Sequence, residues 1–176
     1  LEFFETSGRS LLTAEARADV KHHIALSVVG TDRLQESGYF RAKQAQENLV
    51  INSGRPYTIV RSTQFFEFLR SIVTAAAIGD EIHLAPAEIQ PITSDDVAAA
   101  VTAVAIGTPV NGTIEIAGPE LWSLPELALP YLSNLEDPRT VKVDAGARYF
   151  GARLDTRTLV PASHARLGTE NFKTWI

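Results

Sequence analysis

His23-Ile24-Ala25-Leu26-Ser27-Val28-Val29-Gly30 decides the fold, because it is an apolar run that ends in a glycine. A run of this length is typical of a strand in a parallel sheet. A helical pattern follows over 39–53, and Tyr57-Thr58-Ile59-Val60-Arg61 is a second strand, rich in β-branched residues. Because parallel strands must be joined by a crossover, usually a helix, this order predicts parallel strands connected by helices.

The same alternation continues on both sides of this unit. Ser53-Gly54-Arg55-Pro56 ends the central helix, since glycine suits a helix C-cap and proline cannot continue the helix. Further helices are predicted over 4–19, 64–77 and 95–106, from 123 onward, and over 167–176; further strands are predicted over 81–85, 88–92, 112–117 and 140–143. The sequence therefore predicts the α/β class and, at 176 residues, a single domain.

Composition narrows the function classes. The chain has 16 Lys+Arg against 21 Asp+Glu, a net charge of −5, and lacks a basic run, which argues against a nucleic-acid partner. Its apolar stretches are too short to span a membrane. It contains no cysteine, and its four histidines do not have the spacing of metal ligands, so we expect neither thiol chemistry nor a metal site. These features predict a cytoplasmic protein.

Tyr39 and Lys43 carry the strongest functional signal. Residues four apart on a helix lie on one face, so the phenol and the ammonium are expected to be neighbours. A nearby ammonium can lower the pKa of a phenol and help it give a proton to a developing alkoxide. Ser27 ends the preceding strand, and a strand-end serine with a Tyr–Lys pair is the side-chain set that carbonyl reduction by a nicotinamide cofactor requires.

Polar residues also follow the second strand, in Arg61-Ser62-Thr63-Gln64-Phe65. The carboxyl ends of parallel strands meet at one edge of a sheet, where α/β proteins bind ligands. We therefore expect Ser27 and this segment to open onto the same crevice as Tyr39 and Lys43.

Each of these features also has a purely structural reading. The Tyr39–Lys43 pair could be an amphipathic surface pair, and Ser27 could simply end a buried strand. Arg61 either contacts a phosphate or holds the strand end through a carboxylate. Asp95 and Asp96 fit a solvated helix start. The aromatic segment 148–153 either lines a substrate pocket or makes a subunit contact.

The chain resembles the atypical short-chain dehydrogenase/reductases of the NmrA-like group. The resemblance covers about residues 4–135 and rests on HHIALSVVG (22–30), GYFRAK (38–43), PYTIVR (56–61), QFFEF (64–68), DDVA (95–98) and GTIEIAGP (112–119). It implies a Rossmann fold with helices on both faces of the sheet, NADP(H) or NAD(H) as cofactor, and a small C-terminal substrate region. By the same resemblance Tyr39 is the acid, Lys43 holds the nicotinamide ribose, Ser27 orients the substrate carbonyl, and Ser62, Thr63, Gln64 and Phe65 flank the nicotinamide.

The sequence departs from that family in lacking the glycine-rich motif G-x-G-x-x-G, which cradles the pyrophosphate. The chain also begins at Leu1 and contains no methionine. We therefore expect a Rossmann domain that is incomplete at its N-terminus. In this interpretation about 1–118 form the C-terminal part of the NAD(P)-binding domain, and about 119–176 form the substrate region.

Two functions follow as hypotheses. The first is an NAD(P)H-dependent oxidoreductase of a small carbonyl or quinone compound, a small molecule being its partner. The second is a non-catalytic NAD(P)-binding redox sensor that acts through protein partners. We expect these activities of the intact protein rather than of a fragment, and an exposed sheet edge would favour homo-oligomers.

Overall fold

The computed structural model describes residues 2–162 and 164–176. In chain order its elements are α1 (Glu2–Arg17), β1 (His23–Val28), α2 (Gly38–Ile51), β2 (Tyr57–Ser62), a 3₁₀ turn (Phe66–Phe68), α3 (Leu69–Ala75), β3 (Ala77–Ile78), β4 (Glu81–Leu84), β5 (Glu88–Ile89), α4 (Ser94–Ala105), β6 (Gly112–Ala117), β7 (Trp122–Ser123), α5 (Leu124–Asn134), β8 (Thr140–Val143), β9 (Arg166–Leu167) and α6 (Phe172–Trp175). None of the helices in the described ranges is long and apolar enough to cross a membrane.

The principal sheet has the order β1-β2-β6-β9, and every neighbouring pair in it is parallel. Its register places Ser27 opposite Arg61, and Arg61 opposite Glu115. The two strands predicted around Ser27 and Val60 and the prediction of a parallel α/β sheet are therefore confirmed.

Helices cover both faces of this sheet. On one face, α4 contributes Val97 and Val104 to a core with Val60 and Ile116 of β2 and β6. On the other face, Val50 of α2 packs against buried residues of β1 and β2. The alternation of side chains along each strand explains this division, since successive residues point to opposite faces.

The predicted helix over 64–77 begins later than expected. The backbone of Gln64 and Phe66 hydrogen-bonds Ile92 instead, with Ile92 N donating to Gln64 O at 3.0 Å and Phe66 N donating to Ile92 O at 2.9 Å. Residues 63–65 therefore stay extended, and the chain becomes α-helical only at Leu69, after the 3₁₀ turn. This tertiary pairing overrides the local helical pattern and positions the segment that follows β2.

The predicted closing helix over 167–176 is wrong in its first half. Arg166 and Leu167 pair with Ile116 and Ala117 as an added parallel strand. Helical structure begins only after Asn171, whose side chain caps the helix by accepting a hydrogen bond from Thr174 N.

Helix starts with strong capping signals are placed as the sequence predicts. Thr93 caps α4 by accepting a hydrogen bond from Asp96 N at 3.1 Å. Ser123 and Glu126 form a capping box at the start of α5. Both signals are local in sequence, which is why they survive in the tertiary structure.

Candidate functional site

A cavity of about 510 Å³ opens at the carboxyl ends of β1 and β2. Its lining comes from four parts of the chain: Leu26, Ser27 and Val28; Tyr39, Phe40 and Lys43; Ser62, Thr63, Gln64, Phe65 and Phe68; and Tyr149 and Phe150. This is the edge at which the sequence placed the crevice.

Tyr39 and Lys43 both line the cavity, one helical turn apart on α2. Tyr39 is half exposed, at 53%, whereas Lys43 is 7% exposed. The expectation that the phenol and the ammonium share a face beside the crevice is met.

The Lys43 ammonium is already engaged by the protein. Its Nζ donates to Leu26 O at 2.8 Å and to Gln46 Oε1 at 2.6 Å, and it lies 5.5 Å from the centre of the Phe4 ring. Burial lowers the pKa of Lys43, and the nearby Glu47 carboxylate opposes that change. An ammonium has three donors, so two are committed here and one remains.

The pKa of Tyr39 does not follow the sequence expectation. Burial raises it above the ordinary value of 10.0, whereas a free ammonium beside it was expected to lower it. Lys43 points its donors at Leu26 O and Gln46, and loss of solvent around the phenol therefore dominates. Tyr39 is thus a protonated phenol at neutral pH.

Ser27 lies at the cavity, but its hydroxyl proton is committed. Ser27 Oγ donates to Glu47 Oε1 at 2.5 Å and lies 3.4 Å from Thr31 Oγ1. A serine hydroxyl has a single proton to donate, and here that proton goes to a buried carboxylate. In this arrangement Ser27 has no donor for the substrate carbonyl that the family resemblance assigned to it.

Arg61 is engaged by carboxylates rather than by the cavity. Its Nε and Nη2 donate to the two oxygens of Glu47 at 3.0 and 2.7 Å, and its Nη1 lies 3.4 Å from Asp32. Of the two roles left open for Arg61, the structure therefore shows the structural one, in which a carboxylate holds the strand end. Arg61 is not among the residues that line the cavity.

The segment after β2 brings buried polar groups to the cavity. Ser62 Oγ donates to Thr63 O at 2.6 Å and is satisfied. In contrast, Thr63 Oγ1 and both amide atoms of Gln64 are buried and have no hydrogen-bond partner in the described part of the chain. Buried polar atoms are normally paired, so these three atoms indicate room for a ligand.

Sequence reasoning did not assign Tyr149, Phe150 and Phe68 to the site. The aromatic segment 148–153 was left open between a pocket and a subunit contact, and the structure places Tyr149 and Phe150 in the wall of the cavity. The only local signal is the aromatic pair before Gly151, which suggests a tight turn but not its position.

Aromatic rings give the cavity flat, apolar walls. The Phe68 and Phe150 rings lie 5.6 Å apart between centres, and the Tyr149 and Phe150 rings meet edge to face at 4.8 Å. Tyr39 and Phe40 form a further edge-to-face pair at 5.3 Å. Such a cavity suits a planar ligand with few polar groups.

The architecture is similar to that of solved NAD(P)-binding proteins. An NADPH-dependent quinone oxidoreductase from Escherichia coli (QOR2) matches with a TM-score of 0.64 and 23% identity, over 78% of this chain and 51% of that one. A structure of QOR2 complexed with NADPH matches with a TM-score of 0.60 and 24% identity, over 78% and 48%. UDP-glucuronic acid 4-epimerase from Bacillus cereus, in complex with UDP-glucuronic acid and NAD, matches with a TM-score of 0.64 and 14% identity, over 89% and 60%.

These likenesses show the fold. The chain has the Rossmann-type α/β architecture of its structural neighbours, as the sequence predicted. It spans about half the length of the two QOR2 chains. No protein-family model and no curated protein matches its sequence.

Proposed function

We propose that this chain provides the nicotinamide end of an NAD(P)H-dependent oxidoreductase that reduces a small carbonyl or quinone compound. The observation that carries the proposal is that Tyr39 and Lys43 line one cavity at the carboxyl ends of β1 and β2. The similar solved proteins include QOR2, which is a quinone oxidoreductase, and this supports the proposal.

The residues present fit one end of a nicotinamide cofactor. Thr63 Oγ1 and the Gln64 amide offer unpaired polar atoms for its carboxamide, and Lys43 has one donor left for a ribose hydroxyl. Phe65 supplies an apolar surface beside them. When bound, NADPH or NADH supplies a hydride. The sequence has no glycine-rich phosphate loop, so the fit concerns the nicotinamide and its ribose alone.

Tyr39 supplies the proton. When a carbonyl compound gains a hydride at its carbonyl carbon, the carbonyl oxygen gains negative charge and takes the proton of the Tyr39 hydroxyl, which completes the alcohol. A quinone that gains a hydride becomes a hydroquinone anion, and its charged oxygen takes the same proton, which completes the hydroquinone. Tyr39 is half exposed, so water can return a proton to the tyrosinate. Lys43, held by Leu26 O, lies one helical turn further along α2 in the same cavity wall.

The second candidate is a non-catalytic redox sensor that binds NAD(P). Two observations favour it: burial raises the pKa of Tyr39, and two donors of Lys43 are engaged by the protein. Both features are compatible with binding a nicotinamide without turning it over.

The Tyr39→Phe variant separates the two candidates. Reduced nicotinamide mononucleotide, which lacks the second nucleotide, probes the nicotinamide end alone and is titrated alongside NADPH by fluorescence. Turnover is followed with duroquinone by loss of the reduced-nicotinamide absorbance. A reductase loses about 10²-fold or more of its turnover in Tyr39→Phe with nucleotide affinity unchanged. Equal turnover in Tyr39→Phe and the unchanged protein contradicts the role of Tyr39 as the proton donor. Saturable nucleotide binding without any turnover in the unchanged protein favours the sensor.

A further inference from the structure

Ser27 hydrogen-bonds Glu47, so another residue is needed to hold the substrate carbonyl oxygen. Glu47 is 1% exposed, and its Oε1 accepts a hydrogen bond from Ser27 Oγ at 2.5 Å. Rotating the Ser27 hydroxyl toward a substrate would therefore remove a hydrogen bond from a buried carboxylate. A second donor in the cavity is therefore needed beside Tyr39.

The surroundings of Gln64 indicate which residue this donor is. Its side chain is 5% exposed and lines the cavity, and neither amide atom meets hydrogen-bond geometry with a described residue. The Gln64 amide nevertheless lies close enough to the Tyr149 hydroxyl to moderate its pKa, although burial, the largest cause, and then Tyr39 raise that pKa well above the ordinary value of 10.0. Tyr149 is thus a phenol in the cavity wall that stays protonated at neutral pH.

Tyr149 is held rigidly. Its backbone N donates to Ala152 O at 2.8 Å, and its carbonyl oxygen accepts a hydrogen bond from Ala152 N at 3.0 Å. The two residues between them have positive φ, 46° at Phe150 and 88° at Gly151, which is the pattern of a type I′ turn. A phenylalanine in this region is strained, and such strain is concentrated at functional sites.

Arg148 ties the same turn to the helix that carries Tyr39. Its Nη1 donates to Gly151 O at 2.8 Å and to Glu36 Oε2 at 2.7 Å, and Glu36 lies just before α2. The turn and the start of α2 are therefore connected by an exposed ion pair.

We infer that Tyr149, which lines the cavity together with Gln64, donates the hydrogen bond that holds the substrate carbonyl oxygen, in the place that the family resemblance gives to Ser27. The inference rests on the proposed function, because it assigns a residue to the same reduction. Tyr149 holds and polarises the oxygen, while Tyr39 gives that oxygen its proton. Ser27 acts on the fold through Glu47.

Three variants test this assignment with two readouts. Duroquinone binding without cofactor is measured by calorimetry, and KM and kcat are measured in turnover. Tyr149→Phe keeps the ring and removes the hydroxyl, and we expect its duroquinone affinity to fall by about tenfold. The duroquinone affinity of Gln64→Leu is also expected to fall, by a smaller factor. Ser27→Ala is expected to bind duroquinone like the unchanged protein while unfolding at lower urea concentration.

The affinity for reduced nicotinamide mononucleotide checks that Tyr149→Phe and Ser27→Ala are folded at the site, and the urea unfolding midpoint checks the fold of Gln64→Leu, because Gln64 is itself proposed to contact the carboxamide. Duroquinone binding that is equal in Tyr149→Phe and the unchanged protein overturns the assignment, as does a loss confined to Ser27→Ala or no saturable binding at all. Binding that depends on Tyr149 without any turnover supports Tyr149 as the oxygen-binding residue and contradicts the reductase proposal instead. The two failures are therefore distinguishable.

Discussion

The Glu47 carboxylate accepts two hydrogen bonds from the Arg61 guanidinium, at 3.0 and 2.7 Å, between α2 and the parallel sheet. Ser27 adds a third bond to the same carboxylate, at 2.5 Å. These three residues join the helix that carries Tyr39 and Lys43 to the two strands whose ends form the cavity. A buried ion pair of this kind fixes position, because an unpaired charge in its place is strongly unfavourable.

Glu47→Gln is expected to destabilise the protein by up to about 3–5 kcal/mol, since the Arg61 charge loses its buried partner and keeps only the more exposed Asp32, 3.4 Å from Nη1. Urea unfolding followed by circular dichroism measures the change. The double variant Glu47→Leu with Arg61→Met removes both charges and is the matched control, and we expect it to recover most of the loss. A double variant less stable than Glu47→Gln would contradict the ion-pair account.

Asp96 is expected to make stability fall at acid pH. Burial by itself would raise the pKa of this carboxyl, but hydrogen bonds from Glu170 N and Thr169 N outweigh it, and the pKa lies below the ordinary value of 3.8. A carboxyl with a lowered folded-state pKa stabilises the fold above its unfolded value, and that contribution is lost as the pH falls through the folded pKa.

The unfolding midpoint in urea, measured from pH 7 down to pH 2, tests this expectation. Asp96→Asn is expected to be less stable at neutral pH and to lose less stability on acidification than the unchanged protein. Asp95→Asn, at the neighbouring exposed position, serves as the control. If the unfolding midpoints of Asp96→Asn and the unchanged protein fall in parallel with decreasing pH, Asp96 is not a cause of the acid destabilisation.

Gly118→Ala is expected to disturb the site as well as stability. A Cβ at Gly118 would lie 1.7 Å from Pro91 O, and this backbone leads directly to Ile92, which pairs with Gln64 and Phe66. We expect a loss of about 1–3 kcal/mol or more from overpacking, together with weaker ligand binding at the cavity. Urea unfolding and the duroquinone titration measure the two effects.

Gly112→Ala is the control for that variant. A Cβ at Gly112 would meet Val110 Cγ1 at 3.7 Å, an ordinary contact, and Gly112 begins β6, the strand that Gly118 directly follows. We expect its stability to change by less than about 1 kcal/mol. Equal effects of the two alanines would show that close approach to Pro91 is not the reason for glycine at 118.

The turnover rate is expected to be insensitive to Tyr39 ionisation across neutral and mildly alkaline pH. Because burial raises the pKa of Tyr39 above 10.0, the proton-donating form persists up to that pH and is lost only beyond it. A pH series of kcat tests this, with Tyr39→Phe expected to show a low rate and no alkaline step. An alkaline step near neutral pH that disappears in Tyr39→Phe would contradict the raised pKa.

Local patterns in the sequence determined the parallel strands, the helix carrying Tyr39 and Lys43, and the caps at Thr93 and Ser123. Each depends on residues a few positions apart, where periodicity and capping act directly on the backbone. The edge of the sheet that forms the crevice also follows, because all parallel strands end on the same side.

The tertiary structure alone decided which side chains meet there. Ser27 meets Glu47 from another element, Gln64 is kept extended by Ile92, and Tyr149 reaches the cavity from a turn far along the chain. These contacts arise from the packing of separate elements, which leaves no period in the sequence. The sequence therefore placed Tyr39 and Lys43 beside the crevice, whereas packing paired Arg61 with Glu47, directed the Ser27 hydroxyl to the same carboxylate and brought Tyr149 to the cavity.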